Sequence, residues 1–489
     1  MKIGKVWAVL FSVSILISIT SCDSSTSGPP GFSGPSQPSP GNGGPACKSI
    51  DSFSSVQELH NQVAMIRREG ERLQHHIEDQ IKGFGGLYLD ENGAYVVYLQ
   101  DSSDETVLNS VVSSLKTNRF KNKSERTEEV IIKRGEFSFG ELALWRELVT
   151  AFLLASSEYS FVTSVHIHEK INRVVIGINS SEWTEESVES VRTYLEKTLL
   201  IPAKAVVFEE EFEEHDETDD YDFSELTGDT YDRQRPIVGG LRIYSESSTC
   251  SLGFLGIFDE MPVFVTNGHC TENPHGNSST FYHQGDRDEP DDAIGTEVAD
   301  GPQSYDMCVM PNSDCWPCRW SDSALVGIRE NTEHARGYIA KTIRKSEDWM
   351  VEGSRILDED DPVFTVVDIQ DDILTGMTLH KVGGNSGWTS GDVIRTCVDS
   401  RRSRHEIILQ CQHRARYATS GGGTSGSPVF KRVEGDFEGI ENPVALAGIH
   451  RASSNRDQGN GYSAFSPIDG VLKDFEGLKG LAIETDTND

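Results

Sequence analysis

The sequence predicts an α+β region over 48–208 and permits an all-β region over 237–480. Val56, Leu59, Val63, Ile66, Leu73, Ile77 and Ile81 recur every three or four residues, the period of a helix with one apolar face. Beyond residue 237, β-branched runs such as Val263–Val265, Val363–Ile369 and Val444–Ile449 are divided by Gly, Pro and Asp turns. Between the two regions, Glu209 to Asp232 contains no Lys or Arg, so its carboxylates repel one another and it reads as a flexible linker.

Composition bounds the rest. A chain of 489 residues, 36% hydrophobic and 25% charged, is long enough for about two or three domains. Its 44 basic against 78 acidic residues and net charge of -34 argue against nucleic-acid binding and against adsorption to anionic membranes.

Taken in order, residues 1–22 read as an export signal. Lys2 and Lys5 precede an uncharged apolar run, Val6 to Ile19, too short for a membrane span. Its end, Ile19-Thr20-Ser21-Cys22, resembles a bacterial lipobox, in which Cys22 is lipidated; an ordinary cleaved signal is the alternative. Asn122, Asn179 and Asn277 open glycosylation sequons, which matter only in a eukaryotic host. Residues 23–47, almost wholly Ser, Gly and Pro, form a tether that cannot bury apolar area. Over 48–208 the expected elements are a helix at 53–82, strands at 86–90 and 94–100 around Glu91-Asn92-Gly93, a helix at 139–154, strands at 162–169 and 173–178, and a helix at 185–199. Alternation without long parallel crossovers gives the α+β reading. Residues 209–236 are the acidic linker and the expected place of proteolytic separation; 481–489 are a tail.

Three motifs in the later region carry chemistry. Gly421-Gly422-Gly423-Thr424-Ser425-Gly426-Ser427-Pro428 turns tightly, exposes a hydroxyl and can aim backbone N–H groups at an oxygen. Phe264-Val265-Thr266-Asn267-Gly268-His269-Cys270 ends an apolar strand on a His, and Cys318-Arg319-Trp320-Ser321-Asp322 places an Asp before another. Ser Oγ is a poor nucleophile until a neutral imidazole takes its proton, and that imidazole needs an acceptor on its other nitrogen.

In this order the motifs resemble chymotrypsin-fold serine proteases of the bacterial alpha-lytic type over about 237–478. The resemblance implies two six-stranded antiparallel barrels, with His269 as general base, Asp322 as its orienting carboxylate, Ser425 as nucleophile and the N–H groups of Gly423 and Ser425 as oxyanion hole. It implies polypeptide substrates and no cofactor or metal. Gly85-Gly86-Leu87-Tyr88-Leu89-Asp90, with the stretch 136–205, is similar to the pro-regions of that family. The expected product is a secreted or lipid-anchored proenzyme, with 48–208 its intramolecular chaperone and inhibitor and a membrane met only through Cys22. An unrelated accessory domain is the alternative for that segment.

The chain contains nine cysteines. The resemblance pairs Cys250 with Cys270; Cys397 with Cys411 is the second expected bridge, and Cys308, Cys315 and Cys318 leave one thiol over, with a bridge to Cys318 expected. Cys315-Trp316-Pro317-Cys318 superficially matches redox or zinc motifs, but no βαβ context or fourth ligand supports either.

Departures from the family are also legible. Thr424 stands where relatives carry Asp, and Gly384 where they carry Arg, with Lys381 nearby and expected to be solvated or paired elsewhere. Thr419 marks the expected primary pocket, without an acid to select Lys or Arg; Gly448 to Ser453 is the expected substrate-binding strand, with His450 and Arg451 either specificity elements or surface residues. Arg235-Pro236-Ile237-Val238-Gly239-Gly240 resembles a trypsin-type activation junction, but Pro236 and the missing Asp oppose that mechanism. Two rival functions remain at this point. One is a catalytically inactive protease fold used as a surface binding module; the other is an intracellular thiol or zinc enzyme.

Overall fold

In the computed structural model, which describes residues 55–100, 130–156, 158–211, 229–246, 248–271, 280–286, 289–302, 316–346, 348, 351–402, 407–419, 422–433, 437, 440–454 and 461–482, the expected helix at 53–82 is two helices. The first, α1 (Val56–Val63), begins where the Ser55 hydroxyl accepts the Glu58 N–H at 3.1 Å. The second is α2 (Arg72–Gln80). The interruption has a cause: it carries Arg68 into a buried ion network and lays Gly70 so close to Cys411 that a Cβ would come within 2.8 Å of its sulfur.

A hairpin of β1 (Phe84–Leu89) and β2 (Tyr95–Leu99) follows, with β3 (Val130–Arg134) parallel to β2. The Asn92-Gly93 pair stands in its turn, as the sequence suggests. Asp90 Oδ1 accepts the N–H groups of Asn92 and Ala94, both at 2.9 Å, and Gly93 has φ of 77°. The helix α3 (Phe139–Val149) starts in a capping box of Ser138 and Glu141 and runs into a π-helical turn over Thr150–Leu154. Then come β4 (Val162–His168), β5 (Arg173–Asn179), α4 (Glu185–Lys197) and β6 (Val206–Glu211), the last parallel to β5.

The second half is built of strands: β7 (Ile237–Gly239), β8 (Arg242–Tyr244), β9 (Thr249–Ser251), β10 (Leu255–Phe258), β11 (Met261–Thr266), β12 (Phe281–His283), β13 (Ala293–Asp300), β14 (Cys318–Arg319), β15 (Ala324–Ile328), β16 (His334–Ala340), β17 (Val363–Ile369), β18 (Thr378–Gly383), β19 (Gly387–Arg402), β20 (Ile407–Ala415), β21 (Pro428–Arg432), β22 (Pro443–Ser453) and β23 (Ser463–Pro467). The helix α5 (Ile468–Asp474) follows them. Among the described residues, pairing gives a seven-stranded sheet in the order β10-β11-β15-β13-β12-β8-β9 and a thirteen-stranded sheet, not six strands and six. Within the larger sheet, antiparallel pairings run β18-β19-β20-β23-β22-β21 and return to β18.

The larger sheet exceeds that ring in two ways: β7, β14, β16 and β17 add to it, and the long strand β19 continues outward to β4, pairing Asp399 with Val165 and Ser400 with Ser164. One apolar core therefore joins Leu142, Leu148, Val165 and Ile176 of the N-terminal half to Leu379, Val393, Ile408 and Phe465 of the other. A buried ionic cluster crosses the same boundary. Arg68 donates to both carboxylate oxygens of Asp399 and, at 2.6 and 2.7 Å, to Glu147; Arg146 donates to Glu71 and Glu147, and Thr150 Oγ1 to Asp399 at 2.6 Å. Burial alone would raise the Glu147 carboxyl, yet Arg68 and Arg146 hold it at about 2.

Residues 229–236 pack onto the second half. Thr230 Oγ1 donates to Gly384 O at 2.6 Å, Arg242 N to Thr230 O at 3.1 Å, and Tyr231 OH to Asn385 Oδ1. Ile237 is an interior, fully buried residue whose N–H donates to Glu333 O at 2.9 Å. Among the described residues, no helix is long and apolar enough to cross a membrane. Cys22 and the tether lie outside the described residues, as do Asn122, Asn277 and residues 212–228.

Candidate active site

His269 stands in a single 3₁₀ turn, Gly268–Cys270, just past the end of β11, and Asp322 lies two residues before β15, the strand paired with β11. Ser425 comes from the other sheet, in the turn that enters β21. Strand ends from two sheets thus bring together residues 53 and 156 positions apart in sequence. His269 Nδ1 lies 2.7 Å from Asp322 Oδ2, and the His269 backbone N–H donates to Asp322 Oδ1 at 3.2 Å. An ionised carboxylate can only accept, so Nδ1 carries the proton and Nε2, 2.9 Å from Ser425 Oγ, is left as acceptor for the hydroxyl. Both His269 and Asp322 are buried, at 5% and 2% exposure.

The Ser425 turn is held by its backbone. Gly423 and Gly426 have φ of 85° and 89°, conformations that a side chain would strain. Space forbids a side chain as well: a Cβ on Gly426 would come within 2.3 Å of Ser251 O, and one on Gly423 within 2.8 Å of the Asn385 amide. Ser251 clamps the turn, its N–H donating to Ser425 O at 2.7 Å and its hydroxyl to Gly423 O at 2.8 Å. Asn385 Nδ2 donates to Gly422 O. Among the described residues no acceptor takes up the N–H of Gly423 or Ser425.

Thr424 is fully buried, and its hydroxyl has no hydrogen-bond partner among the described residues. Lys381 is not solvated. It is fully buried, donating to Ser386 Oγ at 2.5 Å with its ammonium 5.6 Å from the centre of the Tyr417 ring. Gly384 has no room for the arginine of relatives, because a Cβ there would lie 2.7 Å from Arg242 Cβ. A cation beside Gly384 is Arg242, 3.9 and 4.5 Å from the centres of the Tyr231 and Tyr244 rings.

The Asp322 turn rests on further polar groups. Asn267 Nδ2 donates to Asp322 O at 2.6 Å, and Asp474 of α5 accepts the N–H groups of Trp320 and Ser321 at 3.2 and 2.7 Å. Arg319 donates to Asp300 at 3.0 Å and to Ser323 O at 2.7 Å. Burial raises the Asp300 and Asp474 carboxyls above their ordinary range. Burial works to lower the Arg319 guanidinium, but Asp300, Asp474 and Asp322 outweigh it and raise that group.

The expected substrate strand is β22. Gly448 pairs there with Val429 and Pro467, and Arg451 O lies 3.4 Å from Ser425 Oγ. His450 and Arg451 are fully buried and hence not surface residues: His450 Nδ1 is 3.4 Å from Tyr417 OH, and Arg451 Nε donates to Gln412. Thr419 is buried at 6% exposure. Cys250–Cys270 and Cys397–Cys411 are disulfides, the first joining β9 to the turn that carries His269. Cys318 is also disulfide-bonded, while Cys308 and Cys315 lie outside the described residues. Among the described residues no group of His, Cys, Asp and Glu could hold a metal ion. Sequence reasoning did not find Ser251, Gln412, Ser466 or Asp474, none of which stands in a motif, and gave Asn385 no role although it lies beside Gly384; only folding brings them to the site.

No protein-family model matches the chain, and no curated protein does. Solved structures do. Protease A of Thermobifida fusca aligns with 50% of this chain and 99% of its own, at 20% identity and a TM-score of 0.34. The Nocardiopsis protease covers 50% and 98% at 18% identity and 0.33, and an alpha-lytic protease homolog 50% and 97% at 15% and 0.34. At such scores these likenesses are resemblances only, and the chemistry rests on the distances above.

Proposed function

We propose that the chain is a serine endopeptidase made as a proenzyme. The reading is carried by one observation, the array in which Asp322 lies 2.7 Å from His269 Nδ1 and Ser425 Oγ lies 2.9 Å from His269 Nε2. Ser425 Oγ attacks a peptide carbonyl as its proton passes to Nε2. The negative oxygen that develops accepts the N–H groups of Gly423 and Ser425; the imidazolium, stabilised by Asp322, then protonates the departing amine. Water repeats the sequence on the acyl-enzyme, with His269 again taking and returning the proton. No step needs a cofactor. Within this reading the two sheets of the second half correspond to the two barrels of a chymotrypsin-like enzyme, β22 binds substrate backbone, and Thr419, Gly448, His450 and Arg451 line or flank the primary pocket.

The shared core and the β4–β19 pairing support residues 48–208 as an intramolecular partner, a pro-region that assists folding; its role as inhibitor rests on the resemblance alone. The polar-flanked apolar run before Cys22 supports export, with an anchor through Cys22 if the lipobox is used. The test is peptide hydrolysis after the linker is cut. Ser425→Ala and His269→Ala should each lower turnover by about four orders of magnitude or more, and the double variant by scarcely more than either. Losses that add would remove the assignment.

A further inference from the structure

Gln412 is fully buried in β20, and its amide uses both ends. Nε2 donates to Trp320 O at 2.8 Å and to Gln410 O at 2.9 Å, while Oε1 accepts Ser466 Oγ at 2.8 Å and Arg451 Nε at 3.1 Å. Ser466 Oγ in turn accepts the backbone N–H of Asp322 at 3.0 Å. A single side chain therefore grips both ends of the Trp320–Asp322 turn, one end directly and the other through a hydroxyl. It also holds Arg451, whose carbonyl oxygen lies 3.4 Å from Ser425 Oγ. Among the described residues, the triad acid and the strand beside the nucleophile meet at this amide.

We propose that Gln412 is a positioning residue for the triad, fixing Asp322 against His269 and Arg451 against Ser425; the proposal rests on the serine-endopeptidase reading above. A carboxylate orients and stabilises the imidazolium only while its own backbone is held, and displacements of about 1 Å at such a site cost on the order of a hundredfold in rate. Gln412→Leu would keep most of the volume and remove all four bonds. Asp322 would then support the imidazolium less well, so protonation of His269 would become harder.

The test uses the full chain with its linker cut, and turnover is expressed per Ser425 titrated by a phosphonofluoridate, so that lost folding is separated from lost rate. Gln412→Leu should lower turnover per site by about tenfold or more, mainly in kcat, and move the acid limb of the kcat/KM profile to lower pH. Ser466→Ala, which breaks the relay to Asp322 while leaving Gln412 in place, should act in the same direction and carries the test if Gln412→Leu yields no folded protein. The double variant should lose little more than the worse single one. Gln410→Leu, on the same strand but with a side chain outside these bonds, should match the wild type. Unchanged turnover per site with the acid limb in place, or losses that add in the double variant, would overturn the proposal. A wild-type chain that neither cleaves peptide nor takes up the probe at Ser425 would instead overturn the endopeptidase reading.

Discussion

Thr424 shows how a local departure can leave the His269–Asp322–Ser425 array intact. Its hydroxyl is buried with no partner among the described residues, and a buried hydroxyl without a hydrogen bond costs roughly 1 to 3 kcal/mol. The turn it belongs to is instead clamped through backbone atoms by Ser251 and Asn385. Thr424→Val should therefore hold or raise the denaturation midpoint and leave turnover within about twofold; a loss of more than about 1 kcal/mol would mean that the hydroxyl has a working partner. His269, Asp322 and Ser425, which the fold brings within hydrogen-bond reach of one another, could be picked out as candidates because three motifs occur in one order; the Gly/Ser-rich turn around Ser425 is weak evidence by itself. Ser251, Gln412 and Ser466 could not be picked out, since polar residues inside strands leave no periodic trace, and their partners come from strands remote in sequence. Arg451 and His450 were ambiguous for the same reason: charge suggests a surface, and burial in β22 decides against it.

The elements most easily read were those governed by local rules. Capping boxes start α3 and α4, and the helix expected over 185–199 is found over Glu185–Lys197. The helix at 53–82 failed where tertiary demand won, because Arg68 must reach Asp399 and Gly70 must meet Cys411. The joint between β4 and β19 was invisible in the sequence, and it has a pH dependence of definite sign. His166 is buried with neither ring nitrogen partnered among the described residues; burial first, then Arg395 and Arg414, with His168 and Arg146 behind them, pushes it well below the ordinary histidine range. His168 is lowered to about 3 by burial, Arg395 and Lys170. Both are neutral in the fold and take up protons more readily unfolded, so their stabilisation is complete above the ordinary histidine pKa of about 6.5 and is lost as pH falls from there toward about 3. Each site contributes a slope of about 1.4 kcal/mol per pH unit in that window. Denaturant unfolding at pH 7 and pH 5 should show stability falling, and His166→Leu should flatten the fall; an equal slope in the variant would show that His166 does not stay neutral.

For the whole molecule, uncleaved residues 229–236 bear on maturation. His269, Asp322 and Ser425 stand within hydrogen-bond reach while Ile237 is an interior residue bonded to Glu333, so their geometry does not need a free Ile237 amine. Tyr231 meanwhile reaches Asn385, which holds Gly422 of the Ser425 turn. Refolding 229–489 with 48–208 supplied in trans should yield active sites, and without it far fewer; a form beginning at 237 should be less active than one beginning at 229. Equal yields with and without the N-terminal segment would argue against an intramolecular chaperone. Activity confined to a free Ile237 amine would argue for trypsin-type activation.

Catalysis by Ser425 itself is settled by covalent labelling of the linker-cut protein with a phosphonofluoridate, read by peptide mass. The prediction is stoichiometric modification of Ser425, abolished in Ser425→Ala and slowed by several orders of magnitude in His269→Ala. A folded wild-type protein that leaves Ser425 unmodified, or labels equally fast without His269, would contradict it and favour a protease fold used only for binding.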